Sequence, residues 1–144
     1  MQEVQVRLGN LMTGAIQTVA PGASLAEAAK KMASQDIGSL PVCSDKRKLL
    51  GIITDRDITV RAVARGLDPN QTRVQDVMTR EVLSCRADSA VEEACALMER
   101  QQVRRVVVTD GQDAPIGILS LGDLALSLRG SQAGEVLRKV SERD

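Results

Sequence analysis

Phenylalanine, tyrosine, tryptophan and histidine are all absent from the 144 residues. Single-strand nucleic-acid binders stack bases on aromatic platforms, so that mode of recognition has nothing to work with here. A planar ligand would have to be walled by aliphatic side chains and held by backbone groups. The cysteines are few as well: Cys43, Cys85 and Cys95 are widely spaced, form no CxxC pair and have no histidine to join them. No structural zinc site can be assembled from that set, so no metal is expected. The three read as reduced, small hydrophobes, with Cys95 on the apolar face of a helix. Charge of one sign is not in excess either, because nineteen basic residues balance nineteen acidic ones. That balance, with no helix-turn-helix signal, opposes a DNA or RNA partner. No apolar run approaches the ~18 residues of a membrane span, and Met1-Gln2-Glu3 lacks the basic and apolar regions of a signal peptide. The expected setting is therefore cytoplasmic, with no membrane partner. Catalysis also finds no support, since no Ser or Cys stands beside a plausible base and no P-loop or Rossmann glycine pattern occurs. A non-enzyme without a catalytic cofactor is expected.

What the chain does contain is one unit written twice, 66 residues apart. Met12-Thr13 recurs as Met78-Thr79, Met32 as Met98, Gly51-Ile52 as Gly117-Ile118, and Asp57 as Asp123. Laying Arg7 to Val60 over Arg73 to Leu126 gives eleven identities in 54 pairs, and most other apolar positions keep their character. Two copies are too few for a solenoid. A pair of fused half-domains sharing one core is the better reading: residues 1–66, then 67–131, then a polar tail over 132–144. The 43% apolar content suffices for such a core at this length.

Each copy reads β-α-β-β-α, an α/β (α+β) pattern. In the first copy, 16–19 is a short strand and Pro21-Gly22 turns it into a helix with Leu25, Ala28, Ala29 and Met32 on one face. Ser24 with Glu27 makes a capping box. Strands follow over 39–43 and 50–54, then a helix over 55–65 ending at Gly66, where a C-cap glycine belongs. The second copy gives a strand over 82–85, a helix over 90–101 with Ser89 and Glu92 as its box, strands over 105–109 and 116–120, and a helix over 121–129. A last polar helix is expected over 135–143. The methionines at 12, 32, 78 and 98 read as core or lining.

The runs Ile37-Gly38-Ser39-Leu40-Pro41-Val42 and Gly51-Ile52-Ile53-Thr54-Asp55-Arg56-Asp57, echoed by Gly117-Ile118-Leu119-Ser120-Leu121-Gly122-Asp123, resemble the tandem cystathionine-β-synthase (CBS) domain pair, or Bateman module. Leu11-Met12-Thr13 and Val77-Met78-Thr79 match its lead-in. The stretch 54–70 is further similar to small stand-alone CBS pairs of the hypoxic-response type. The resemblance implies two half-domains about a pseudo-twofold axis, and an adenosyl ligand (AMP, ADP, ATP or an NAD-like dinucleotide) in one or both clefts. It places ribose on Thr54 and Asp57, adenine on the backbone of Gly38, Ser39 and Leu40 between Ile37 and Pro41, with Thr18 reaching in from the other side. Arg56 and the free amides of the helix start after Thr54, taken as exposed, would meet phosphate. The second set is Ser84, Val103, Arg104, Arg105, Val106, Ser120 and Asp123. There Arg104-Arg105 replaces Gly38-Ser39 and Gly122 replaces Arg56. Either an arginine fills that pocket or it carries positive charge to a longer phosphate chain.

From spacing alone, Thr54-x-x-Asp57 and Ser120-x-x-Asp123 are also plain helix starts, a hydroxyl cap with an acid in the first turn. Cap and ligand contact can coexist. The resulting expectation is a regulatory sensor for an adenine nucleotide, with a protein target not identified. The rival is a module that dimerises and binds protein without any nucleotide. CBS pairs assemble in twos, and the apolar pairs Ile58 with Ala62 and Leu124 with Leu128 are the expected homodimer contact.

Overall fold

The structure is a computed structural model, and it describes residues 6–12 and 16–127. The helix expected over 135–143 and the end of the one expected to 129 lie outside them. Among the described residues, one compact unit takes 16–82 with 112–115, and the other takes 6–12, 83–111 and 116–127. The first holds α1 (Leu25–Gln35), a hairpin of β1 (Ser39–Cys43) and β2 (Leu49–Thr54), a helical stretch over 55–65 that opens with α2 (Asp55–Asp57), and α3 (Val74–Val77). The second holds a 3-10 turn (Leu8–Leu11), β3 (Ser84–Arg86), α4 (Val91–Gln101), β4 (Arg105–Thr109), β5 (Pro115–Ser120) and α5 (Leu121–Ser127).

Local chemistry accounts for most of these elements. Ser24 caps α1, its hydroxyl accepting the Glu27 amide at 3.1 Å. Leu25, Ala28 and Met32 then face the core, while Ala29 is turned to solvent. The box expected of Ser89 and Glu92 does not form. Ala90 stands where Ser24 stood, so α4 starts without a side-chain cap, and the Ser89 amide goes to the Arg86 carbonyl. Val91, Ala94, Cys95 and Met98 face inward all the same. Both helices end on a left-handed residue, Asp36 at φ 53° and Gln102 at φ 55°. The stretch 55–65 is helical throughout, but its middle, Ile58–Ala62, is wound as a π-helix and its end, Val63–Arg65, as 3-10, before Gly66 stops it at φ 73°.

The strand expected over 16–19 shrinks to a single parallel bridge, Val19 to Val42, whereas its counterpart β3 pairs three residues with β4. Proline explains the difference. In the second copy the Val107 amide donates to the Leu83 carbonyl at 2.9 Å. Pro41 occupies the equivalent place in the first copy, and Pro21 stands where the Ala87 amide donates to the Thr109 carbonyl; neither has an N–H to give, so the ladder stops at one bridge.

The lead-in segments are exchanged between the copies. Leu8, from before the first copy, is fully buried in the core of the second-copy unit, among Leu83, Val91, Met98 and Leu124. Val74, Val77 and Met78, from before the second copy, close the core of the first-copy unit, among Leu25, Leu40, Ile53 and Ala62. Each fully buried side chain of this kind is worth about 1.5–3 kcal/mol over an exposed one. The hydrogen bonds repeat at the same 66-residue offset: Leu8 N–H to the Ser89 carbonyl at 2.9 Å matches Val74 N–H to the Ala23 carbonyl at 2.8 Å. Likewise Gly9 N–H to the Ala87 carbonyl matches Gln75 N–H to the Pro21 carbonyl, both at 2.9 Å. Thr79 then bridges Ile52 in both directions, at 2.9 and 2.8 Å. That approach needs Gly51, whose added Cβ would lie 2.5 Å from the Thr79 carbonyl oxygen.

Candidate ligand site

Thr54 ends β2 in extended backbone and caps α2. Its hydroxyl accepts the Asp57 amide at 3.0 Å, and Asp57 Oδ2 accepts the Thr54 amide at 3.0 Å. Ser120 and Asp123 make the same reciprocal pair, at 3.1 Å and 2.8 Å. The two motifs are therefore both complete capping boxes, a geometry that fixes each carboxylate at its helix start.

Their surroundings differ. Asp57 is 8% exposed, contrary to the expectation of an exposed helix start. The Thr79 hydroxyl lies 3.2 and 3.4 Å from its two oxygens, and Arg61 Nε lies 3.8 Å from Oδ1. Asp123 is exposed. Ser127 takes the place of Arg61 in the second copy, and its hydroxyl turns back to the Leu124 carbonyl at 2.7 Å.

The amides at the start of α2 are also not free. Asp55 N–H donates to the Gly38 carbonyl at 2.9 Å, Arg56 N–H to Asp55 Oδ1 at 2.8 Å, and Asp57 N–H to Thr54. The Asp55 carboxylate further sits 3.0 Å from where a Cβ on Gly38 would be. A phosphate there would meet an anion, and Arg56, expected to meet phosphate, is exposed beside it. In the second copy Leu121 replaces Asp55. Its amide donates to the Arg104 carbonyl at 2.8 Å, keeping the backbone link without the negative charge.

Of the remaining expected residues, Ile37 is 39% exposed and Ser39 partly exposed, while Leu40 and Pro41 are buried. Thr18 lines a hollow of about 360 Å³ with Lys31, Cys43, Ser44 and Arg47, to which none of 37–41 or 54–57 contributes. Its carbonyl accepts Lys31 Nζ at 2.8 Å. In the second copy Ser84, Arg104 and Arg105 are all exposed, Val103 is half-buried and Val106 is in the core. Both arginines reach solvent because only Arg105 lies on the strand, while Arg104 precedes β4 and escapes its alternation. Sequence reasoning missed Arg61, the i, i+4 neighbour of Asp57 along its own helical stretch, and Thr79, 22 residues on, which no local pattern links to Asp57.

The helix faces expected to pair two copies are turned inward. Ala62 is 1% and Leu124 0% exposed, Ile58 packs against the core, and Leu128 is outside the described residues. An i, i+4 apolar pair marks the face that the protein's own core claims first. Among the described residues of these two helical stretches, the large apolar side chains left exposed are Val60 at 48%, Val63 at 61% and Leu126 at 89%. Val60 and Leu126 are equivalent positions of the two copies.

Among the described residues no group of three or more His, Cys, Asp or Glu stands close enough to hold a metal, and no described helix is long and apolar enough to cross a membrane.

Comparison with known proteins fits this arrangement. The CBS domain-containing protein YhcV of Bacillus subtilis is 37% identical over 134 residues, 92% of this chain and 94% of that protein. Hypoxic response protein 1 of Mycobacterium tuberculosis is 34% identical over 119 residues, 83% of this chain and 82% of that one. A crystal structure of hypoxic response protein I, with two coordinated zinc ions, superposes with a TM-score of 0.75 at 33% identity, over 86% of this chain and 100% of that one. A CBS domain protein of Pyrobaculum aerophilum complexed with AMP shares the fold, with a TM-score of 0.77 over 92% of this chain and 99% of that one, at 22% identity. The family model for the CBS domain matches residues 8–63 and again 74–130, and the chain belongs to the CBS-domain family as a tandem pair with an α+β fold.

Proposed function

We propose that the chain is a regulatory module that binds an adenine nucleotide through its [ST]-x-x-D motifs, and that the second-copy motif is the more open of the two. One observation carries this: Asp123 is exposed, is held in place by the Ser120 capping box, and belongs to a copy in which Leu121 replaces the anion Asp55 and Arg104 and Arg105 are exposed. A fixed carboxylate accepts two ribose hydroxyls, and arginine forks suit phosphate oxygens. The AMP complex of the Pyrobaculum protein supports an adenosyl ligand on this fold. The ligand acts as a signal and not as a catalytic cofactor. In this reading the module works in the cytoplasm as a homodimer, with Val60, Val63 and Leu126 as its apolar contacts. The rival is nucleotide-free dimerisation and protein binding, for which the same exposed apolar residues speak.

The test is calorimetric titration with AMP, ADP, ATP and NAD, since a chain without Trp or Tyr offers no useful intrinsic fluorescence. Asp123→Ala should lose about 1.5–3 kcal/mol of binding, the worth of a charge-assisted hydrogen-bond pair. Arg104→Gly with Arg105→Ser should lose any preference for di- and triphosphates over AMP. No heat and no melting shift with any of the four nucleotides would leave the rival standing.

A further inference from the structure

In the first copy, the carboxylate assigned to ribose already has company. Asp57 Oδ2 holds the Thr54 amide, the Thr79 hydroxyl spans both oxygens at 3.2 and 3.4 Å, and Arg61 Nε stands 3.8 Å from Oδ1. A carboxylate offers about four lone-pair sites. The Thr54 amide hydrogen-bonds to Oδ2 and the Thr79 hydroxyl to Oδ1, and Arg61 stands over Oδ1 at ion-pair distance, so two ribose hydroxyls meet a carboxylate whose two oxygens are both already engaged. Asp57 is also 8% exposed, so the oxygens are covered as well as engaged.

The groups covering it come from one piece of chain. Thr79 belongs to the lead-in that runs from α3 toward Leu83, where the chain enters the other unit. That lead-in is tied down beside Asp57 three times: by the two-way bridge of Thr79 with Ile52, by the Thr79 hydroxyl, and by Arg61, whose guanidinium donates to the Val77 and Met78 carbonyls at 3.3 and 3.2 Å. Arg61 therefore touches both the carboxylate and the segment that covers it. Ser127, its counterpart in the second copy, bonds within its own helix, and Asp123 stays exposed.

We infer that Thr79 is a built-in competitor for Asp57: its hydroxyl occupies the position of a ribose hydroxyl, and a ribosyl ligand enters the first-copy motif only by displacing it. This rests on the ribose-binding reading of the motif. Displacement frees one of the three ties on segment 77–79, so occupancy of Asp57 is passed to the chain that leads into the second-copy unit. The first-copy motif is then a conditional site, and its affinity is the intrinsic one reduced by the fraction of molecules in which Thr79 has let go.

The experiment uses the full chain with Asp123→Ala, which silences the second motif, and AMP as the probe in calorimetry. Thr79→Val keeps shape and the backbone bridge while removing the hydroxyl, and should bind AMP about tenfold more tightly, or about 1.4 kcal/mol. Thr79→Ser keeps the hydroxyl and should stay within about twofold of the parent. Equal or weaker binding by Thr79→Val, or a Ser variant that behaves like Val, overturns the inference. Arg61→Met gives a second reading should the Val variant fail to fold: it removes the brace and should also tighten AMP, and unchanged affinity counts against the mechanism. Asp57→Ala in the same background separates the two ideas. If it abolishes AMP binding and Thr79→Val does nothing, only the competitor is lost. If the parent binds AMP regardless of Asp57, or if no variant binds at all, the ribose role of Asp57 falls and the competitor falls with it.

Discussion

Replacing Gly51 and Gly117 by alanine should have unequal effects, although the sequence repeat makes them the same residue. A Cβ on Gly51 would lie 2.5 Å from the Thr79 carbonyl oxygen and 3.3 Å from the carbonyl carbon and from Arg80 Cα, all of them backbone atoms. The lead-in cannot yield there without loosening the two Ile52–Thr79 hydrogen bonds. A Cβ on Gly117 would lie 2.7 Å from Met12 Sδ and 2.9 Å from its Cε, the end of a flexible side chain that can turn away. For Gly51→Ala the overpacking costs about 1–3 kcal/mol and the two backbone bonds about 1 kcal/mol each, against a gain of about 0.5–1 kcal/mol from the stiffer unfolded chain. The net loss is about 2–4 kcal/mol. For a chain of this length that is roughly 6–12 °C in melting temperature. Gly117→Ala should fall within about 1 kcal/mol of the parent, because Met adapts to irregular space. Urea unfolding followed by circular dichroism gives both numbers. Equal losses for the two variants, or a neutral Gly51→Ala, would refute the claim that backbone crowding by Thr79 is what keeps glycine at position 51.

The buried thiols carry a pH prediction. Burial first, and then Glu93 for Cys85 and Glu92 for Cys95, raises both above the usual thiol value. The unfolded chain therefore ionises these thiols before the folded one does, so their contribution is intact below the unfolded thiol value and is lost as pH rises through the folded values. The melting temperature should drop on the alkaline side of about pH 8.5, and a Cys85→Ala, Cys95→Ala variant should show a smaller drop; identical alkaline slopes would exclude the thiols as the cause. On the homodimer, Val60→Asp with Leu126→Asp should turn a particle of about twice 15.4 kDa into one of 15.4 kDa in light scattering, while Ala62→Ser should disturb stability and not assembly. A dimer unaffected by the two aspartates would move the contact elsewhere.

The elements were legible where a local rule decides them. Ser24 caps α1 because its hydroxyl is three residues from the amide it accepts, and Gly66 stops its helix because a left-handed turn is needed there. The repeat was legible because buried apolar positions recur. What stayed hidden depends on partners far along the chain. Nothing near Pro41 says that its missing N–H faces the strand at 16–19. Nothing near Asp57 says that Thr79, 22 residues on, will cover it. The helix faces illustrate a third limit: periodicity finds an apolar stripe on 58–62 and 124–128, but cannot say whether the core or a second molecule takes it. The core took Ala62 and Leu124, leaving Val60 and Leu126 outside.

The exchange of lead-ins has a consequence for how the molecule comes apart. The Leu8 amide reaches the Ser89 carbonyl across 81 residues, and Val74, Val77 and Met78 lie in a core whose other buried residues come from the first copy. Neither unit can shed its borrowed segment without opening its own core, and each borrowed segment is continuous with the other unit. The duplicated sequence is thus divided at one place and the folded protein at another. A cut at residue 66 yields two pieces, each with a finished sequence motif and an unfinished interior. Such pieces should be insoluble or unfolded alone and should regain structure when mixed. Melting of the intact chain should likewise be a single cooperative step, because the two halves hold each other's last layer of apolar side chains.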